Sequence, residues 1–233
     1  MSGARQDVVV IGGGIMGLFT AYHASRAGAT VTILERSRIG DPQKASFCLT
    51  RSIRNDYIDP VYARYAHAAR QLWLEVQAES GEQFVIDCGC LNLAKTRVTP
   101  DLDQTYAEVV YRTLRSLDYK AEALDRDTLQ RRFPQFDADL GRLDVEAGYL
   151  LIPPITRAVL KALGRQQVTI LEDVTVERIA ERGGRVITTT NQGEWDSASL
   201  VVTVGLGTND LLARVDGCDT RFPLRSDRPT QSM

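Results

Sequence analysis

One stretch near the N-terminus constrains this chain more than any other: Val10-Ile11-Gly12-Gly13-Gly14-Ile15-Met16-Gly17. It carries the spacing G-x-G-x-x-G at Gly12, Gly14 and Gly17. The run 7–11 ahead of it is apolar and ends in glycine, the pattern of a central parallel strand. Behind it, Ile15, Met16, Leu18, Phe19, Tyr22 and Ala27 recur at helical spacing, and Gly28 closes the helix. Residues 30–34 then alternate β-branched side chains up to Glu35. The first 35 residues therefore predict a strand–turn–helix–strand unit.

In such a unit each glycine has a mechanical task. Gly12 permits the tight turn out of the strand, with Gly13 inside it. Gly14 lets a pyrophosphate approach the backbone, and Gly17 lets the helix pack on the sheet. Amides near Gly14, Ile15 and Met16 face the phosphates at the positive end of the helix dipole. Glu35 lies 23 residues after Gly12, where a carboxylate can accept both ribose hydroxyls. Its charge repels a 2′-phosphate and so disfavours NADP, while Arg36 next door leaves that cofactor open. By itself the fingerprint does not separate NAD from FAD.

The remaining pattern is interleaved. Residues 37–58 hold Pro42, scattered polar side chains and several arginines, and predict a long loop. Helical periodicity returns over 59–80, with Val61, Tyr65, Ala69, Leu72, Trp73 and Val76 on one face, and stops at Gly81. Strands are expected at 84–86 and 90–94, helices at 102–117 and 126–133, and short strands at 143–145 and 149–152. Pro153-Pro154 introduces a further helix, followed by strands at 168–171, 175–180, 185–190 and 200–204, with Gly183-Gly184 as a hairpin turn. No repeat or low-complexity tract interrupts this order, so a second domain has to be built from insertions.

Composition narrows the partners. A net charge of −2 gives nucleic acid or an anionic membrane nothing to bind. No apolar stretch is long enough to span a bilayer, and MSGARQD runs into the first strand without an apolar signal region. The four cysteines, Cys48, Cys88, Cys90 and Cys218, lack the paired spacing of a zinc site, so no metal is expected. Reduced thiols and a cytoplasmic location are the expectation.

Two later features point to a family. Thr50-Arg51-Ser52-Ile53-Arg54 is followed by a long amphipathic helix with Leu72-Trp73 and by Cys88-Gly89-Cys90-Leu91-Asn92-Leu93. Downstream stands Leu200-Val201-Val202-Thr203-Val204-Gly205. This succession resembles the D-amino acid oxidase superfamily of FAD-dependent oxidoreductases, most closely its monomeric sarcosine oxidase branch, over essentially the whole chain. The resemblance implies FAD, held in an α/β, Rossmann-like domain of the GR2 type, interleaved with an incomplete antiparallel substrate-domain sheet. It places the FAD-binding domain at 1–60 and 140–215, and the partial substrate domain at 82–138 and 216–233. It implies that Arg51 lies against the flavin ring, the one catalytic candidate, and that Arg54 binds the carboxylate of an amino-acid substrate. A planar guanidinium suits that task because it offers two parallel hydrogen bonds. It further implies that Ser46, Thr50 and Gly205 touch the cofactor and that the Val176 backbone touches the adenine.

Departures from the family pattern are equally specific. Ser46-Phe47-Cys48-Leu49 replaces small residues and a glycine before Thr50, and Gly207 stands where relatives place Trp. The segment 222–233 matches the opening of a substrate-domain strand that relatives continue into the lysine and the cover over the flavin. The expectation is an FAD-dependent oxidation of an amine or amino acid, carried out as one half of a split enzyme whose second polypeptide supplies that region. The competing expectation is a non-catalytic FAD- or nucleotide-binding subunit, and a third is an NAD-dependent enzyme.

Overall fold

The computed structural model describes residues 5–42, 44–45, 47–95 and 106–225. In chain order the first strands are β1 (Gln6–Ile11), β2 (Val31–Leu34), β3 (Thr50–Ile53), β4 (Val85–Asp87), β5 (Cys90–Ala94) and β6 (Ala121–Asp125). The later ones are β7 (Leu140–Asp144), β8 (Gly148–Leu151), β9 (Thr169–Leu171), β10 (Val176–Arg182), β11 (Arg185–Thr190) and β12 (Gly193–Val202). The helices are α1 (Ile15–Arg26), α2 (Pro60–Ser80), α3 (Tyr106–Ser116), α4 (Arg126–Arg132), α5 (Ile152–Arg165) and α6 (Thr208–Leu212).

Two compact units result, Met1–Cys48 with Thr156–Met233, and Leu49–Ile155. The first is built on a six-stranded sheet in the order β10-β11-β12-β1-β2-β9. β1 runs parallel to both β12 and β2, and β9 continues the parallel set. β10, β11 and β12 form an antiparallel meander at one edge. Burial explains the sequence pattern: Val9 and Val10 on β1 and Ile33 on β2 are wholly buried, as a strand covered on both faces requires. On one side Val9, Ile11, Leu34, Val174, Val176, Ile179 and Trp195 share a core. The crossover from β1 through α1 leads to β2, while β12 lies on the other flank of β1. The strand order therefore reverses at β1, which in an open α/β sheet marks the ligand crevice at the carboxyl ends.

The second unit holds two antiparallel three-stranded sheets, β3-β8-β4 and β5-β7-β6. Its long helix α2 begins with Asp59, whose carboxylate accepts the Val61 N–H at 2.7 Å, and has Pro60 in the first turn. It ends at Gly81, in the left-handed conformation with φ 73°. Its apolar stripe is buried only in part: Val76 is buried and Ala69 and Trp73 are half-buried, but Val61, Tyr65 and Leu72 are exposed, as is Tyr62, while Ala63 outside the stripe is buried. The Trp73 ring instead meets Phe84 edge-on.

Two expectations are corrected. Residues 37–58 are not a continuous loop, because β3 pairs along β8 from Thr50 to Ile53. The strand expected at 200–204 begins at Gly193, and β6 was not foreseen at all. Both unforeseen stretches carry polar, partly exposed side chains, so hydrophobic periodicity does not mark them. The units also divide the chain differently from the expected domain boundaries. Residues 49–60 and 140–155 gather with the second unit because β3, β8 and β4 share one sheet, and 216–225 gather with the first. Residues 102–105, within an expected helix, and 226–233 lie outside the described residues.

Candidate functional site

In the first unit the glycine turn sits where β1 and β12 end side by side. Gly12 has φ 105°, and a Cβ there would lie 2.7 Å from the Thr203 carbonyl oxygen. Thr203 follows β12 directly, and its hydroxyl lies 3.0 Å from the Ile11 carbonyl and 2.9 Å from that of Gly12. Its N–H also donates to the Ile11 carbonyl at 2.9 Å. Gly17, in the first turn of α1, packs so close that a Cβ would fall 1.8 Å from the Gly12 carbonyl oxygen. Gly14 caps α1 with extended backbone and no side-chain hydrogen bond, which leaves the helix entrance to the backbone and to a ligand. Met16, at that entrance, is exposed.

Glu35 closes the other side of the turn. Its carboxylate is buried and accepts the Gly13 N–H at 2.7 Å and the Ser37 N–H at 2.8 Å, and Lys44 forms an ion pair with it. Burial pushes its pKa up, but Lys44 and the two backbone N–H groups outweigh that and hold it below the usual carboxylate value. A carboxylate offers about four acceptor positions, so one ribose hydroxyl can be received beside these three partners. Neither Thr203 nor Lys44 was foreseen as part of this site. Thr203 could have been found from its place at the end of the last parallel strand; Lys44 carries no local signal.

The other expected residues of this unit fall nearby in part. Val176 is buried in the same core as Ile11 and Leu34. Two residues before it, the Val174 N–H donates to the Glu35 carbonyl at 2.9 Å. Gly205, with φ 57°, is exposed two residues beyond Thr203. Arg36 is exposed, and Ser46 lies outside the described residues.

The second unit holds Thr50, Arg51 and Arg54. Thr50 and Arg51 are on β3, opposite Leu151 and Leu150, and Arg51 is exposed. Arg54 follows the strand and donates from Nη1 to the Asp56 carboxylate at 2.8 Å, with its guanidinium carbon 5.6 Å from the Tyr57 ring centre. Burial lowers the Arg54 pKa, but Asp56 overrides this and raises it. Behind it, Asp56, Arg142, Asp144 and Asn55 are almost wholly buried. Burial pushes the Asp144 carboxyl above its ordinary value, against hydrogen bonds from the Asn55 and Glu146 N–H groups. Burial likewise raises the Cys90 thiol pKa, which makes it a poor thiolate. Among the described residues no three His, Cys, Asp or Glu side chains gather as metal ligands, and no helix is long and apolar enough to cross a membrane.

Comparison with known proteins adds the family context. A family profile described as FAD dependent oxidoreductase matches residues 7–231. Human peroxisomal sarcosine oxidase is 28% identical over 232 residues, covering 97% of this chain and 55% of that protein. N-methyl-L-tryptophan oxidase of Yersinia pestis (strain Pestoides F) is 27% identical over 210 residues, covering 88% of this chain and 55% of that protein. The chain thus spans about half the length of the curated relatives it matches. Among solved structures, L-proline dehydrogenase from P. horikoshii superposes with a TM-score of 0.81 at 21% identity, over 94% of this chain and 57% of that one. The open form of NikD, an unusual amino acid oxidase essential for nikkomycin biosynthesis, gives 0.76 at 24%, over 91% and 54%. At such identities these likenesses establish the fold.

Proposed function

The chain belongs to the FAD dependent oxidoreductase family, and from that premise we propose that it serves the oxidation of the C–N bond of an amine or amino acid, N-methyl amino acids included. The family is FAD-dependent, and the observation that carries the reading is the joint of β1, β12 and Glu35. Gly12 lies against the Thr203 carbonyl and Gly17 against the Gly12 carbonyl, so closely that a side chain at either would meet backbone, while a Cβ at Gly13 would meet the end of the Ile39 side chain and Glu35. A turn with that backbone clearance suits a pyrophosphate, and a buried carboxylate bound to Gly13 suits the ribose beside it.

The chemistry that FAD supplies when bound is acceptance of a hydride at N5 from the α-carbon of the neutral amine. The chain's own residues bind and orient. The backbone of 12–17 holds the diphosphate at the helix entrance, Glu35 takes a ribose hydroxyl, and Val176 lies at the adenine. Ser46, Thr50 and Gly205 complete the cofactor contacts in this reading. By the family resemblance Arg51 is the residue assigned to the flavin ring, and Arg54 receives the substrate carboxylate through paired N–H groups. The resulting imine is hydrolysed by water.

We further infer that the working form is a heteromer in the cytoplasm, with a second polypeptide completing the site. Support comes from the exposed apolar row Ile58, Val61, Tyr62, Tyr65 and Leu72. The test is purification, alone and with candidate partners, followed by a flavin spectrum and anaerobic addition of N-methyl and free amino acids. Bleaching of a yellow protein by one of them is expected. A colourless protein that binds only nucleotides, or a yellow one that no amine bleaches, overturns the catalytic reading and favours a binding subunit.

A further inference from the structure

Asp56 and Arg142, 86 residues apart, form a buried ion pair with Nη2 of Arg142 donating to Asp56 Oδ2 at 2.6 Å, at 0% and 1% side-chain exposure. Such a pair adds little to stability, since desolvation of both charges offsets their attraction. Its geometry suggests another use. Arg142 on β7 and Asn92 on β5 are cross-strand partners, and both donate to Asp56 Oδ2. Tyr106 at the start of α3 donates its hydroxyl to the Asp56 backbone carbonyl at 2.7 Å, and the Asn55 N–H donates to Asp144 at 2.8 Å. The segment 55–56 is thus tied to three elements, and Oδ1 of Asp56 remains for one partner, Arg54 at 2.8 Å. The Arg54 side chain is itself 39% exposed. One Nη1 bond holds it against a fixed carboxylate, and the Tyr57 ring lies beside it.

We propose that Asp56, anchored by Arg142 and Asn92, is a positioning residue that presets the Arg54 guanidinium for an incoming carboxylate. This rests on the reading of Arg54 as the substrate-carboxylate receptor. A guanidinium on a long, exposed stem otherwise loses its rotamer freedom at the moment of binding, which weakens association by about three- to ten-fold. Arg142 balances the charge of Asp56, so the pair orients Arg54 without cancelling its attraction for an anion.

The test compares the dissociation constants of benzoate and benzamide on the flavin-loaded protein, read from the flavin absorbance. Because removing one charge of a buried pair strands the other, both are replaced together, Asp56→Leu with Arg142→Met, which leaves the net charge unchanged. Benzoate is expected to bind about three- to ten-fold more weakly and benzamide as before; general damage to the site would weaken both. Arg54→Met is the reference, with benzoate weakened about thirty-fold or more. If Arg54→Met leaves benzoate binding intact, the receptor reading fails. If it weakens benzoate while the double variant binds both ligands as the parent does, the positioning role fails alone. Should the double variant not fold, Asn92→Ala decides: it keeps every charge, removes one anchor of Asp56, and should weaken benzoate a few-fold. An unchanged benzoate constant there overturns the inference.

Discussion

Replacement of Gly17 by Ala tests the cofactor turn with a single methyl group. The new Cβ would stand 1.8 Å from the Gly12 carbonyl oxygen and 2.8 Å from the Thr203 hydroxyl. Real Cβ contacts below 3.0 Å are essentially never seen, so the first turn of α1 has to move about 1.2 Å from the glycine loop. The Gly12 carbonyl is backbone at the end of β1 and cannot rotate away, while the Thr203 hydroxyl is a side-chain group held at the Ile11 and Gly12 carbonyls by its hydrogen bonds. Overpacking of this kind costs about 1–3 kcal/mol, occasionally more. At about 2–4 °C per kcal/mol for a chain of this size, the upper figure lowers Tm by about 6–12 °C. The same shift displaces the helix entrance from the phosphates, so FAD content should fall below a tenth of the parent's. Gly164→Ala is the control: it lies in α5 with nothing within 4 Å of its added Cβ, and should be neutral or stabilising by up to about 1 kcal/mol. Unfolding followed by circular dichroism and FAD by absorbance after gel filtration report both effects. A Gly17→Ala protein with parental Tm and stoichiometric FAD would refute the argument.

Other expected outcomes follow from the same geometry. Thr203→Val keeps the shape but removes the hydroxyl proton shared between the Ile11 and Gly12 carbonyls; a loss of about 1 kcal/mol, or about 2–4 °C in Tm, is expected in thermal melts. Glu35→Gln leaves Lys44 without its anion and should weaken FAD at least about ten-fold in a fluorescence-quenching titration, since hydrogen bonds to charged groups are worth about 1.5–3 kcal/mol. Because the Glu35 carboxyl is held below its ordinary value, its stabilisation is complete above about pH 4.5 and is lost as pH falls through the lowered pKa. Acid unfolding of Glu35→Gln should therefore depend less on pH than that of the parent; parallel curves would contradict the pairing. Arg51→Met should slow anaerobic flavin reduction in stopped flow while leaving benzoate affinity within about two-fold, and an unchanged reduction rate would remove Arg51 from the chemistry.

What could be read from the sequence was whatever depends on neighbours along the chain. The strand–glycine–helix–strand unit was legible because β1 and β2 are covered on both faces and therefore continuously apolar. Gly12 was legible because only glycine tolerates its backbone angle beside Thr203, and Glu35 because it ends the second strand at a fixed remove from the turn. The resemblance over Thr50–Ile53 and beyond located Arg51 and Arg54 without any knowledge of what they touch. Tertiary structure decided the rest. β3 and β6 are partly polar strands whose existence depends on the partners β8 and β7, and local periodicity cannot see a partner about a hundred residues away in the case of β3. The stripe of α2 showed where apolar residues lie, but only packing determined that Ala63 and Val76 face inward while Tyr62 and Tyr65 face water. Arg142, in sequence one more polar residue near a short strand, proved to be the largest fully buried side chain among the described residues. Its burial is tolerable only because Asp56 meets it from a distant loop. A charge leaves water only for a partner, and the partner is chosen by the fold.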